Sequence, residues 1–110
     1  MKKLFIAAFI FVSTFTTNTF AEVKMGIILG FTGPIESLTP AMAASAELAF
    51  KEASDSGSLL GGKKIEVVRA DSTCVDSAAA TAAAEGVISQ GVAAIMGADC
   101  SGVTGAIASN

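Results

Sequence analysis

The residues best suited to chemistry lie near the end of the chain, in Asp99-Cys100-Ser101-Gly102. They follow the apolar run VAAIM at residues 92–96. The stretch reads as the end of a buried strand, a tight turn and the first turn of a helix. A helix start presents unpaired backbone N–H groups and a partial positive charge, which together bind anions, carboxylates included. Ser101 adds a hydroxyl at that point, and Cys100 can anchor the turn. A nucleophilic Ser101 would need a base, and the sequence contains no His to serve as one. Ser101 is also suited to cap the following helix, a role compatible with ligand binding. Asp99 reads as a solvated turn residue ahead of a catalytic acid. Asp71, Asp76 and Asp99 could cluster at the sheet edge, and are read first as turn and cap residues.

Cys74 follows the second apolar strand and Cys100 the third. If those strands share a sheet, both thiols lie at its carboxyl end, where a disulfide is sterically feasible and suits an exported chain. Two unlinked thiols are the other reading. A metal site needs more ligands than two cysteines without His, so no metal and no cofactor is expected. With a net charge of −3 and 52% hydrophobic residues, the chain lacks the basic character of a nucleic-acid binder. The Gly30 to Pro34 turn is not a dinucleotide loop. Its glycine spacing is wrong, and Pro34 removes an N–H that a pyrophosphate would use.

The compartment is read from the N-terminus. Met1-Lys2-Lys3 is positive, residues 4–12 (LFIAAFIFV) are apolar, and residues 13–21 (STFTTNTFA) are small and polar. This is the three-part pattern of a secretory signal peptide over residues 1–21, with cleavage after Ala21. The apolar run is shorter than the roughly 20 residues a bilayer span requires. The expected product is therefore periplasmic and soluble, without stable membrane insertion, and more acidic than −3 once Lys2 and Lys3 are removed.

Three apolar segments must position the site. Residues 23–30 (VKMGIILG), 65–70 (IEVVRA) and 92–96 read as strands. The continuous apolar run of the first suits a strand buried on both faces, the second is β-branched, and the third reads as buried. Between the first two lies a helix with Thr39 as N-cap and Pro40 at its first position. It turns Met42, Ala46, Ala49, Phe50 and Ala53 inward, with Glu47 and Lys51 paired on the wet side. Asp76 caps a second helix over residues 77–90, with Ala80, Ala84, Val87 and Ile88 inward and Gly91 as its left-handed stop. A third helix starts near Ser101. The order β-α-β-α-β predicts an α/β fold: a parallel sheet with right-handed crossovers and flanking helices. Ligands in such sheets bind beyond the carboxyl ends of the strands.

The ordered set of Lys24 to Leu29, Thr32-Gly33-Pro34, Ala46 to Asp55, Gly61 to Val68, Asp71 with Cys74, and Gly91 to Gly97 with Cys100-Ser101 resembles a known family. It is similar to the N-terminal part of type I periplasmic solute-binding proteins of ABC transporters, the leucine/isoleucine/valine-binding family. The resemblance covers residues 22–110 and implies the incomplete first lobe of a two-lobed fold that closes on a small ligand. It implies a Cys74–Cys100 disulfide, and a carboxylate-binding role for Ser101. Cys100 and Asp99 match positions lining the same pocket, and Leu38 matches a position beside the ligand side chain. Two residues depart from the family pattern: Asp99 stands where an apolar residue is common, and Leu38 where an aromatic ring is frequent. Both bear on the choice of ligand.

The implied function is non-enzymatic capture of a small amino acid of branched-chain type, or a similar carboxylate, for delivery to an ABC transporter permease. Alternatives are the same fold tuned to an amide, urea or aromatic acid, a sensory ectodomain, and an exported enzyme. The chain reads as truncated within lobe one. Unpaired sheet edges in so small a piece lead to the expectation that it is unstable or aggregates alone.

Overall fold

The computed structural model describes residues 22–110, so the expected signal peptide lies outside the described residues. Strand β1 is Val23–Leu29, helix α1 Thr39–Asp55, β2 Ile65–Asp71, α2 Ser77–Ser89, β3 Ala94–Gly97 and α3 Ser101–Ala108. A short 3-10 turn, Leu59–Gly61, precedes β2. The three strands form one sheet in the order β2-β1-β3, and both pairings are parallel. The expected α/β class with flanking helices is what the chain adopts.

That strand order follows from the chirality of crossovers. The chain steps from β1 to β2 in one direction, then back past β1 to β3 in the other. Two right-handed connections running in opposite directions place their helices on opposite faces. Ile27 and Leu29 accordingly pack with Ala43, Phe50 and Val67 on the α1 side. Ile28 packs with Ala84, Val87 and Ile107 on the side of α2 and α3. Only β1 is covered on both faces, which is why residues 26–30 are all buried. Gly26 permits this closeness: a Cβ there would lie 2.6 Å from Val87 Cγ1.

Several local expectations need correction. Strand β3 is shorter than residues 92–96 and shifted toward the turn, with exposed ends, because it lies at an edge of the sheet. Thr39 does not cap α1. Leu38 is the N-cap residue without a side-chain cap, while buried Thr39 donates its hydroxyl to Gly30 O at 3.1 Å. Met42 and Ile88 are exposed, and Ala43 takes the inward position on α1. Glu47 does not pair with Lys51. The planar guanidinium of Arg69, on β2, grips both Glu47 carboxylate oxygens at 2.5 and 2.8 Å, a two-point contact that an ammonium cannot make. Lys51 pairs with Asp55 instead. Asp76 does cap α2, accepting from Ala78 N at 2.9 Å and Ala79 N at 3.0 Å. Gly91 leaves that helix at φ 76°, as expected.

Candidate functional site

The point where the chain reverses its direction across the sheet lies between the carboxyl ends of β1 and β3. Connections from the two strands depart there to opposite faces, leaving a crevice. Three turns gather at that end: residues 30–38 after β1, 72–76 after β2 and 98–100 after β3.

The turns are lashed together by specific bonds. Cys74 and Cys100 form a disulfide with Cα atoms 5.3 Å apart. Because β2 and β3 flank β1, this bond crosses over the end of the central strand. Asp99 Oδ2 accepts the backbone N–H of Gly30 at 2.8 Å, and Oδ1 receives the Ser72 hydroxyl at 3.5 Å. One carboxylate thus touches the exits of β1 and β2 from the exit of β3. Asp71 makes a second lashing. It accepts the Thr32 hydroxyl at 2.6 Å, Thr32 N at 3.3 Å and Thr73 N at 2.8 Å. Partial burial of Asp71 works to raise its pKa. The Thr32 hydroxyl and the backbone N–H groups of Thr73, Thr32 and Phe31 outweigh this, holding its carboxyl below the usual range. Gly33 completes the contact, since at φ 95° any Cβ would overlap the Thr73 carbonyl oxygen.

The third turn leads directly into α3. Cys100, not Ser101, is the N-cap residue, with an extended backbone at φ −118° and ψ 132° and no side-chain cap. Ser101 is already helical, which corrects the capping role expected of it. The disulfide explains the shift, because it ties Cys100 to the second turn while the next residue begins the helix. The first N–H groups of α3 therefore receive no capping side chain from Cys100. Exposed Ser101 stands beside them. Thr104 stiffens the turn from below, donating its hydroxyl to Ala98 O at 3.1 Å and Cys100 O at 2.9 Å. The open N–H groups and the Ser101 hydroxyl can donate hydrogen bonds to a small anion or a carbonyl oxygen.

The structure thus joins Asp99 and Cys100 to the first two turns and places Ser101 at the open start of α3. Leu38 sits on the loop leading into α1 and is 61% exposed. Sequence reasoning missed Ser72 and Thr104. Thr104, four residues beyond Cys100, follows the helical back-bonding spacing and could have been found. Ser72 carried no local signal, since its partner Asp99 is distant in sequence.

Two grooves, of about 430 and 310 Å³, lie at the other end of the sheet, between α1 and the starts of β1 and β2. Phe50 and Ile65 line both. Neither groove contains a residue of the three lashed turns. The backbone donors that converge are at the carboxyl end of the sheet, away from both grooves. Among the described residues, no cluster of three or more His, Cys, Asp or Glu could hold a metal ion. No helix among them is long and apolar enough to cross a membrane.

A family model described as periplasmic binding protein matches residues 22–110. No curated protein matches the chain. The match spans every described residue, from the first strand to the helix that opens at Ser101. It agrees with the parallel sheet and its strand-end turns, and it points to the binding of small solutes: this chain belongs to the periplasmic binding protein family.

Proposed function

We propose that the protein is the solute-capturing component of an ABC transporter, exported by a signal peptide over residues 1–21 and working in the periplasm without catalysing a reaction. Its solute is a small amino acid of branched-chain type or a related carboxylate, and its partner is a transporter permease. The resemblance to the leucine/isoleucine/valine-binding proteins supports this finer assignment. Residues 22–110 form part of one lobe, and a second lobe of the full-length protein closes over the bound solute.

One observation carries the reading. The open N-terminus of α3 is presented at the crevice between β1 and β3, with Ser101 exposed beside it. Oriented N–H groups and a hydroxyl, fixed before the solute arrives, bind a carboxylate without the cost of ordering a loop. Cys100 fixes this turn through its disulfide, Leu38 offers apolar surface to the solute's side chain, and Asp99 borders the carboxylate. A second reading is a neutral solute, such as an amide or urea. The carboxylate of Asp99, two residues before Ser101, favours it because two like charges repel.

Ser101→Ala in the full-length protein should weaken binding of L-leucine by about 1–3 kcal/mol, the worth of a hydrogen bond to a charged group. Titration calorimetry measures this. Unchanged affinity contradicts the role given to Ser101.

A further inference from the structure

We infer that Asp99 is a positioning residue: its carboxylate sets the distance between the Ser101 turn and the first turn by holding the Gly30 N–H, and acts on the solute through that spacing. The inference rests on the solute-binding reading of the Ser101 turn.

Gly30 is buried, so its N–H has little access to water, and a buried donor must find a partner. That partner is Asp99 Oδ2 at 2.8 Å, a residue 69 positions away. The Gly30 carbonyl is also engaged, by the hydroxyl of fully buried Thr39 at 3.1 Å. Gly30 is therefore gripped from both sides, by α1 through Thr39 and by the third turn through Asp99. The residue is crowded as well, since a Cβ there would lie 3.1 Å from Cys74 Cβ. The disulfide ties the third turn to the second. Among the described residues, Asp99 alone ties it by a hydrogen bond to the first turn, where Leu38 lies. The strands beneath are paired directly as far as Ile28 and Gly97; beyond that last pair, the first and third turns are otherwise linked through Cys74 and the Asp71–Thr32 contact. The bond needs an acceptor at a fixed distance. It does not need a charge.

Variants separate the two demands. Asp99→Asn keeps an acceptor of the same reach and removes the charge. Asp99→Glu keeps the charge and lengthens the side chain, moving the turn. Asp99→Ala removes both. Calorimetry with L-leucine on the full-length protein should rank Asp99→Asn above both Asp99→Glu and Asp99→Ala. Asp99→Glu and Asp99→Ala should be roughly tenfold weaker or worse, the scale of a lost hydrogen bond to a charged group. Amide hydrogen exchange should show the Gly30 N–H protected in the parent and in Asp99→Asn, and exposed in Asp99→Ala. The reverse order of affinities, with Asp99→Glu retained and Asp99→Asn lost, would mean that the charge meets the solute directly and would overturn the inference. So would parent-like affinity in Asp99→Glu or Asp99→Ala. If the parent itself does not bind L-leucine, the proposed solute is wrong, and exchange decides the positioning role alone. It stands if Asp99→Ala loosens Gly30 and the Ser101 turn together while Asp99→Asn loosens neither, and fails otherwise. If Asp99→Ala does not fold, the contrast between the Asn and Glu variants decides the same question.

Discussion

The two ends of the sheet are held by different kinds of interaction. At the carboxyl end the contacts are short, directional and involve backbone: Asp99 with Gly30 N, Asp71 with Thr32 and Thr73, Thr39 with Gly30 O, and the Cys74–Cys100 bond. At the amino end one buried clasp, the Ser54 hydroxyl accepting the Ile65 N–H at 2.9 Å, is accompanied by exposed ion pairs. Lys24 pairs with Glu66 at 3.9 Å, Lys64 with Asp55 at 3.6 Å, and Lys51 with Asp55. The grooves open there, lined by Phe50, Ile65 and exposed Leu60. Exposed ion pairs contribute little and tolerate movement, whereas a backbone N–H gripped by a carboxylate fixes a position. The difference teaches that a hollow and a site are separate things in this molecule. The convergent hydrogen-bond donors and these hollows lie at opposite ends of the sheet.

Substitutions at the two ends should therefore differ in cost. The largest effect is expected at Gly97, the last residue of β3, which has φ 131°. A Cβ there would overlap the Ile28 carbonyl oxygen, within the central strand. In the full-length protein, Gly97→Val should cost more than about 4 kcal/mol, enough to prevent a cooperative thermal transition. A parent-like transition would show that β1 and β3 are not so closely apposed.

Breaking the disulfide comes next. The cysteines are separated by 26 positions, and closing such a loop contributes about 3.5 kcal/mol in the chain-entropy model. A Cys74→Ser, Cys100→Ser double variant should show a correspondingly lower thermal midpoint. If only the amino end were fragile, the midpoint would not move.

A smaller, pH-dependent effect is expected at Asp71. Its folded pKa is lowered, so the carboxylate contributes stability above its unfolded value of about 3.9. That contribution is lost as pH falls through the lower folded value. The parent should exceed Asp71→Asn by about 1 kcal/mol at pH 6–7, for the loss of charge-assisted bonds. The gap should narrow below about pH 4. Denaturant melts across that range test the sign, and a gap that widens in acid contradicts it. The smallest effect is expected at the amino end. Lys51→Ala, which removes an exposed pair, should leave the thermal midpoint unmoved at physiological salt.

The same contrast governs what could be read from the residues alone. Strand β1 was legible to within about a residue because its apolar run records burial, and β2 because β-branched residues favour strands although none of its residues is fully buried. Asp76 was legible as a cap because it bonds residues two and three positions along. Placing Cys74 and Cys100 after parallel strands made their bond feasible beside unlinked thiols, the family resemblance implied it, and the chain forms it. Local pairing rules failed where a distant partner competed. Arg69 on β2 captured Glu47, and Gly30 captured the hydroxyl of Thr39 that was expected to cap α1. The Asp99–Gly30 bond was illegible for the same reason, since nothing near either residue announces the other. Ser101 was legible at the right turn, but one position off as a cap, because the tether on Cys100 fixes where the helix begins.

The central claim is that the Ser101 turn receives the solute's carboxylate. The most direct measurement is a calorimetric cycle on the full-length protein, titrating L-leucine and L-leucinamide into the parent and into Ser101→Ala. The amide should bind the parent more weakly than the acid, and that penalty should shrink by about 1 kcal/mol or more when the hydroxyl is removed. A penalty of the same size in both proteins would mean that Ser101 and the carboxylate do not meet, and the account would be contradicted.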